Sequence, residues 1–230
     1  MTRIQASDRS HDTTRRDFLK HSAVAASTAV AGVHAIARNA YAAGSDVIRV
    51  GMIGCGGRNT GAAVEALTAD PGARLVAMCD IFLERVKKRR EQIKQRMKDQ
   101  VVVDDDHCFS GFDGYKHVIE ASDVVLIANA AKFHPLHAMT ALEAGKHVFV
   151  EKPHGIDPAG VKLMQRAADL AKAKGLCLVS GLQSRYHAGY AETVQRIHDV
   201  AIGEVVCSEE NFLRAPYVII ERAAALSELA

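Results

Sequence analysis

From Val47 onward the chain alternates short runs of Val, Ile, Leu and Ala with longer stretches of helical periodicity, and few folds accept that order. "VIRVGMIG", "ARLVAMCD", "DVVLIAN", "KHVFVE" and "LCLVSG" read as strands, with a weaker one near "HCFSGF". Between them "GAAVEALTAD", Ile81 to about Lys98, Tyr115 to Glu120, "PLHAMTALEAG" and "PAGVKLMQRAADLAKAKG" read as helices, with Gly175 as the last C-cap. Strands apolar at nearly every position are buried on both faces. Strand–helix alternation then implies a parallel sheet with right-handed crossovers, covered by helices on each side. The expected fold class is α/β, a doubly wound parallel sheet. Such a sheet binds ligands at the carboxyl ends of its strands.

Polar residues stand out at those ends. "GMIGCGGRNTG" follows the first strand and opens a helix, as a dinucleotide fingerprint requires. Gly54 permits the tight turn, and Gly56 lets backbone approach a pyrophosphate on the helix N-terminus. The third glycine is replaced by Asn59, with Gly57 and Gly61 close by to relieve the packing. Asp80 ends the second strand, where a carboxylate accepts hydrogen bonds from the adenosine ribose and repels a 2′-phosphate. That favours NAD over NADP; the competing role for Asp80 is a helix N-cap. At the fourth-strand end, His134 and His137 lie three apart on one helix face. With no third ligand at hand, no metal is expected; His134 is expected to line the nicotinamide end of the cleft and His137 to be packed. These features make residues 44–182 a Rossmann-type NAD-binding domain.

Composition removes other classes. The charges nearly balance, 29 basic against 27 acidic, so no nucleic-acid partner is implied. The basic run "ERVKKRREQIKQRMK" has Glu84, Glu91 and glutamines interleaved and reads as a solvated helix face. Five cysteines without CxxC spacing argue against a disulfide framework or a zinc site, and Cys79 and Cys177 read as small core residues. The N-terminus carries its own signal. Arg15 and Arg16 precede Phe18, Leu19 and Lys20, then a weakly apolar stretch from Ala23 to Ala35, then "AYA". This resembles a twin-arginine export signal over residues 1–43, implying the twin-arginine translocase as a partner and a periplasmic location. The apolar stretch is too short for stable membrane insertion, which takes about 20 residues.

"EKPHG", Glu151 to Gly155, places two charges where the fifth strand runs out. Taken with "GMIGCGGR", "CDI", "HPLHAMTALEAGKHV" and "GLQSRYHAGYAETVQRIHDVAIGE", it resembles the Gfo/Idh/MocA oxidoreductases, the glucose–fructose oxidoreductase and inositol 2-dehydrogenase group. The resemblance runs from about Val47 to Tyr217. It implies an NAD(P)-dependent dehydrogenase acting on a sugar, a cyclitol or a related secondary alcohol, with homo-oligomeric full-length relatives. By that resemblance Lys152 is the catalytic residue. It hydrogen-bonds the substrate hydroxyl, and partial desolvation brings it toward useful acid–base range. Glu151 helps hold the cofactor, and Pro153 fixes the turn as a cis peptide. The expected cofactor-binding set is Gly54, Gly56, Gly57, Arg58, Asn59, Asp80, Ile81, Asn129, His134, Glu151, Lys152, Gln183 and Arg185. Asn129, Ala130 and Ala131 depart from the family's usual Thr-Pro-Asn, and Gln183 stands where Asn is more common. Residues 183–230 are expected to begin an α+β substrate domain that is incomplete, with one helix, "YAETVQRIHD", and one strand, "EVVCSEENF", so that this chain has little turnover. Two alternatives stay open: an NAD-dependent glycosidase of the same family, against which Lys152 argues because those relatives tend to carry another residue there, and a non-catalytic nucleotide-binding module.

Overall fold

A computed structural model describes residues 47–213. The segment read as an export signal, residues 1–43, lies outside the described residues. Six parallel strands form one sheet in the order β3-β2-β1-β4-β5-β6. They are β1 (Ile48–Ile53), β2 (Ala73–Asp80), β3 (Cys108–Ser110), β4 (Val124–Ile127), β5 (His147–Val150) and β6 (Leu178–Ser180). The connecting helices are α1 (Gly57–Ala69), α2 (Leu83–Met97), α3 (Gly114–Ala121), α4 (His134–Glu143) and α5 (Pro158–Lys174). The doubly wound parallel sheet expected from the strand–helix alternation is what forms.

Two cores explain why the strands are apolar throughout. Side chains alternate across a strand, so each strand feeds both faces. On one face Ile53, Ala77, Val125, Ile127, Val148 and Val150 pack with Val118 of α3, Leu142 of α4 and Ala167 of α5. On the other, Val50, Met52, Leu75, Met78 and Leu126 pack with Leu67 of α1 and with Val86 and Ile93 of α2. The charged α2 buries only those two residues and turns its remaining length to solvent, as the interleaved charges implied. Two terminal devices set α5: Asp157 accepts the Gly160 N–H at 2.6 Å, and Gly175 ends it at φ +65°.

Two expectations are corrected. Cys177 is exposed although its carbonyl accepts the Val148 N–H at 2.9 Å, because it leads into β6, the edge of the sheet, where Val179 is exposed as well; Cys79 is buried as expected. The stretch "EVVCSEENF" forms no strand, and a strand needs a neighbour to receive its N–H and C=O groups. The chain divides into two units at Gly181/Leu182. The described part of the second holds a 3-10 turn, Gln183–Tyr186, and α6 (Ala188–His198), which buries none of its residues. Among the described residues no helix is long and apolar enough to cross a membrane.

Candidate functional site

β1, β2 and β4 are adjacent, so their carboxyl ends fall side by side. A cavity of about 280 Å³ opens there, lined by Gly54, Gly56, Asp80, Ile81, Arg85, Asn129 and His137 among others. At Gly54 the backbone turns with φ +87°, a conformation L side chains rarely adopt. A Cβ there would also stand 2.7 Å from the Cα of Asn129, so β1 can leave the sheet beside β4 only with glycine in this place. Gly56 then caps α1 with no side-chain bond to the helix and no acidic residue in the first turn. A Cβ at Gly56 would meet nothing within 4 Å. The first N–H groups of a 13-residue helix thus open onto free space with the positive end of its dipole. Those features fit a dinucleotide pyrophosphate.

Asn59 does not take the role expected of it. Its side chain is fully buried, and Nδ2 donates to the carbonyl oxygens of Ile53 at 2.9 Å, Gly54 at 2.9 Å and Leu126 at 3.1 Å. A cofactor cannot reach that amide. It pins α1 to the ends of β1 and β4, replacing the close packing a third glycine gives by a hydrogen-bonded post. Gly57 and Gly61 relieve no packing, since nothing lies near the Cβ position of either.

Asp80 is nearly buried. Oδ2 accepts the Cys55 N–H at 2.7 Å, and Oδ1 stands 3.2 Å from Arg85 Nη1. Cys55, the residue between the two fingerprint glycines, lies beneath the loop; burial pushes its thiol well up, so it stays protonated and unreactive. Ile81 is exposed at the cavity wall.

Of the two histidines, His137 is packed as expected, and His134 departs from its expected place. His134 is buried beneath the cavity and does not line it; Nδ1 is 2.8 Å from the Pro153 carbonyl and Nε2 3.0 Å from the Asn129 carbonyl. It therefore ties the β4 end to the turn after β5. His137 lines the cavity instead, stacked on Tyr115 at 4.2 Å and on Phe133 at 5.8 Å, with Asn129 Nδ2 at 3.2 Å from Nδ1. Their spacing of three told that they share a face, but not which end of that face dips under the loop. Burial, and secondarily the neighbouring His134, lowers the His137 pKa to about 4. The unfolded chain binds this proton below pH about 6.5, the folded chain not until about 4. Stability is therefore expected to fall as pH drops through that window, by about 3 kcal/mol when complete. Urea unfolding of His137→Phe and parent at pH 7 and 4.5 checks this; equal pH dependence in both would remove His137 as the cause.

Glu151 closes the far side. It is buried at the end of β5, and Oε1 accepts from Arg58 Nε of α1 at 2.6 Å. Its carboxylate fills the space where a Cβ of Gly181 would stand, so a side chain there would have to displace the carboxylate. Glu151 and Arg58 thus form a strut between the fingerprint helix and the β5 turn, and Glu151 is not open to a cofactor as expected. Lys152 follows. It is exposed, so the partial desolvation expected of it is not met in this unit, and its ammonium has no hydrogen-bond partner among the described residues. The Lys152–Pro153 peptide is cis. His154, which sequence reasoning passed over, bonds through Nε2 to Ser180 Oγ at 2.7 Å and joins the same turn to the end of β6. Gln183 and Arg185 lie on the 3-10 turn of the second unit and are exposed there.

A family model described as "Oxidoreductase family, NAD-binding Rossmann fold" matches residues 48–181. Glycosyl hydrolase family 109 protein 1 of Bacteroides fragilis is 40% identical over 111 residues, 47% of this chain and 23% of that protein. Inositol 2-dehydrogenase/D-chiro-inositol 3-dehydrogenase of Halalkalibacterium halodurans is 32% identical over 170 residues, 71% of this chain and 44% of that protein. The crystal structure of a 3-ketoreductase from Actinomadura kijaniata in complex with NADP superposes with a TM-score of 0.52 at 26% identity, over 69% of this chain and 46% of that one. The matched segment spans less than half the length of each of these relatives.

Proposed function

The chain belongs to the Gfo/Idh/MocA oxidoreductase family, and on that premise we propose that it serves hydride transfer from a secondary alcohol of a sugar or cyclitol to NAD. The observation that carries this reading is the uncapped α1 N-terminus at Gly56, open to solvent on the same strand-end edge as Lys152. A bound dinucleotide supplies the hydride acceptor. The residues of this chain bind and orient it. The α1 amides and Gly56 receive the pyrophosphate, and Asp80 turns its remaining lone pairs toward the ribose hydroxyls. Asn129 lines the cavity wall, its Nδ2 held 3.2 Å from His137 Nδ1. Lys152 holds the substrate hydroxyl, whose proton would pass through the lysine to solvent as the hydride passes to the dinucleotide. The test is NADH formation followed at 340 nm by the full chain with inositol and glucose, read under single-turnover conditions because little turnover is expected of it. Lys152→Met is expected to lower it by at least about tenfold, with NAD affinity within about threefold of the parent. An unchanged rate would sink Lys152 as the substrate-contacting group.

A second reading has an observation of its own, the 40% identity to a glycosyl hydrolase family 109 protein. In it a dinucleotide held at α1 and Asp80 would stay bound and supply reversible hydride chemistry, with no net change, within one cycle of glycoside cleavage. Cleavage of aryl glycosides without net NADH marks that reading; NADH released from a free alcohol marks the first.

A further inference from the structure

We infer that Arg58 is the residue that keeps Lys152 free: by taking the Glu151 carboxylate, it stops the neighbouring lysine from closing an ion pair with it. The inference rests on the reading of Lys152 as the group that meets the substrate hydroxyl. Glu151 and Lys152 are adjacent and opposite in charge. The carboxylate folds back over the peptide that joins them, so that Oε2 accepts the Lys152 N–H at 3.2 Å. It therefore stands within reach of the lysine's flexible four-carbon stem. The Glu151 side chain is 6% exposed, and its carboxylate rests against Gly181, so water does little to answer the charge. A carboxylate in such a place is held by a cation or takes up a proton.

Two cations could serve it, and one of them does. Arg58, the second residue of α1, donates from Nε to Oε1 at 2.6 Å. Its other carboxylate neighbour among the described residues, Glu65 on the same helix, is largely exposed and stands 3.9 Å from Nη1, too far to compete. The Lys152 ammonium has no partner among the described residues. The two cations are thus divided by their chemistry. The guanidinium, always charged and built as a rigid fork, is committed to the fold, and the ammonium, which can give up its proton, is left for a substrate. Without Arg58, the cation adjacent to the buried carboxylate is Lys152. An ammonium drawn down onto Glu151 no longer reaches a substrate hydroxyl, and the pairing holds its proton more firmly. Arg58 is in this sense a positioning residue: it acts on Lys152 through Glu151 and needs no contact with substrate.

Competitive amine labelling reads the lysine directly. The full chain is treated with trace acetic anhydride at pH 8, and acetylation of Lys152 is measured by mass spectrometry against Lys88, an exposed lysine of α2. Arg58→Met is expected to slow Lys152 labelling at least about fivefold relative to Lys88, because pairing keeps the amine protonated. Arg58→Lys, which keeps a cation on the carboxylate, is expected to stay within about twofold of the parent. Arg58→Met combined with Glu151→Gln is expected to return to the parent rate, since no carboxylate remains to capture the lysine. Glu151→Gln alone is expected to change the rate by less than about twofold, because in the parent Glu151 is already taken. A parent-like rate in folded Arg58→Met would overturn the inference, and so would a double variant that labels as slowly as Arg58→Met, which would mark a merely structural role. A Glu151→Gln protein labelled several-fold faster than the parent would overturn it too, by showing Lys152 already paired, and this arm holds even where Arg58→Met does not fold. Lys152→Met separates the inference from the reading beneath it. If labelling follows the expected pattern while hydride transfer is unchanged in Lys152→Met, the pairing stands and Lys152 leaves the reaction.

Discussion

Gly54→Ala is expected to lose about 3 kcal/mol or more of stability and at least about 100-fold in dinucleotide affinity, because two costs add. An alanine would have to hold φ +87°, and its methyl would overlap the backbone of Asn129. That backbone belongs to the loop after β4 and cannot swing aside as a side chain could. Either β1 retreats or the loop does, and each movement distorts the mouth of the cavity. Gly56→Ala supplies the control. Its φ of −76° suits any residue, and the added methyl meets nothing within 4 Å. That variant is expected to unfold like the parent in urea, within about 1 kcal/mol, and yet to bind NAD at least about tenfold more weakly, since the methyl occupies the approach to the helix amides. If Gly56→Ala binds NAD as the parent does, the pyrophosphate does not lie on α1.

Asn59→Gly restores the third glycine of the fingerprint and is nonetheless expected to destabilise the fold by about 2–4 kcal/mol, with Asn59→Ala close behind. The amide that both variants lack answers three buried carbonyl oxygens, two at the end of β1 and one in β4. Ile53 O keeps the Ala128 N–H at 3.2 Å, but removing the amide takes a donor from all three carbonyls in a place water does not reach, and opens a void under α1. Glycine adds the conformational freedom of its backbone in a helix, about 1 kcal/mol. Chemical unfolding of the three proteins decides it. A consensus glycine that matched or exceeded the parent would show that the amide contributes nothing net.

Much of the sheet was legible because its strands are apolar at successive positions, a pattern that period and length alone can identify. The fingerprint was legible too, through Gly54 and Gly56, whose need for glycine is local: a turn at one, free space at the other. What escaped the sequence were the long-range ties. Asn59 looked like a lapse in a motif until the carbonyl of Leu126, 67 positions away, was seen to need a donor. Glu151 looked like a cofactor ligand because the guanidinium that occupies it belongs to Arg58, 93 positions earlier. Arg85 was hidden within a charged helix face, where nothing local sets it apart from Arg89 or Arg90. The assignment of His134 failed for a related reason. Helical spacing gives a shared face, and both histidines are buried on it, while which of them borders the cavity depends on where the β5 turn passes.

The order of strands in the sheet also bears on how the molecule is made. β1 sits between β2 and β4, so its two edges are completed at different times. β2 ends at Asp80, but β4 does not end until Ile127. A ribosome adds about 5–20 residues per second, so β1 waits several seconds longer for its second neighbour than for its first. Throughout that interval the nascent chain carries a half-sheet whose open edge is the apolar run Val50–Ile53, an edge of the kind that recruits other chains. The same central position that brings Gly54 beside Asn129 thus leaves β1 with an exposed edge for part of translation.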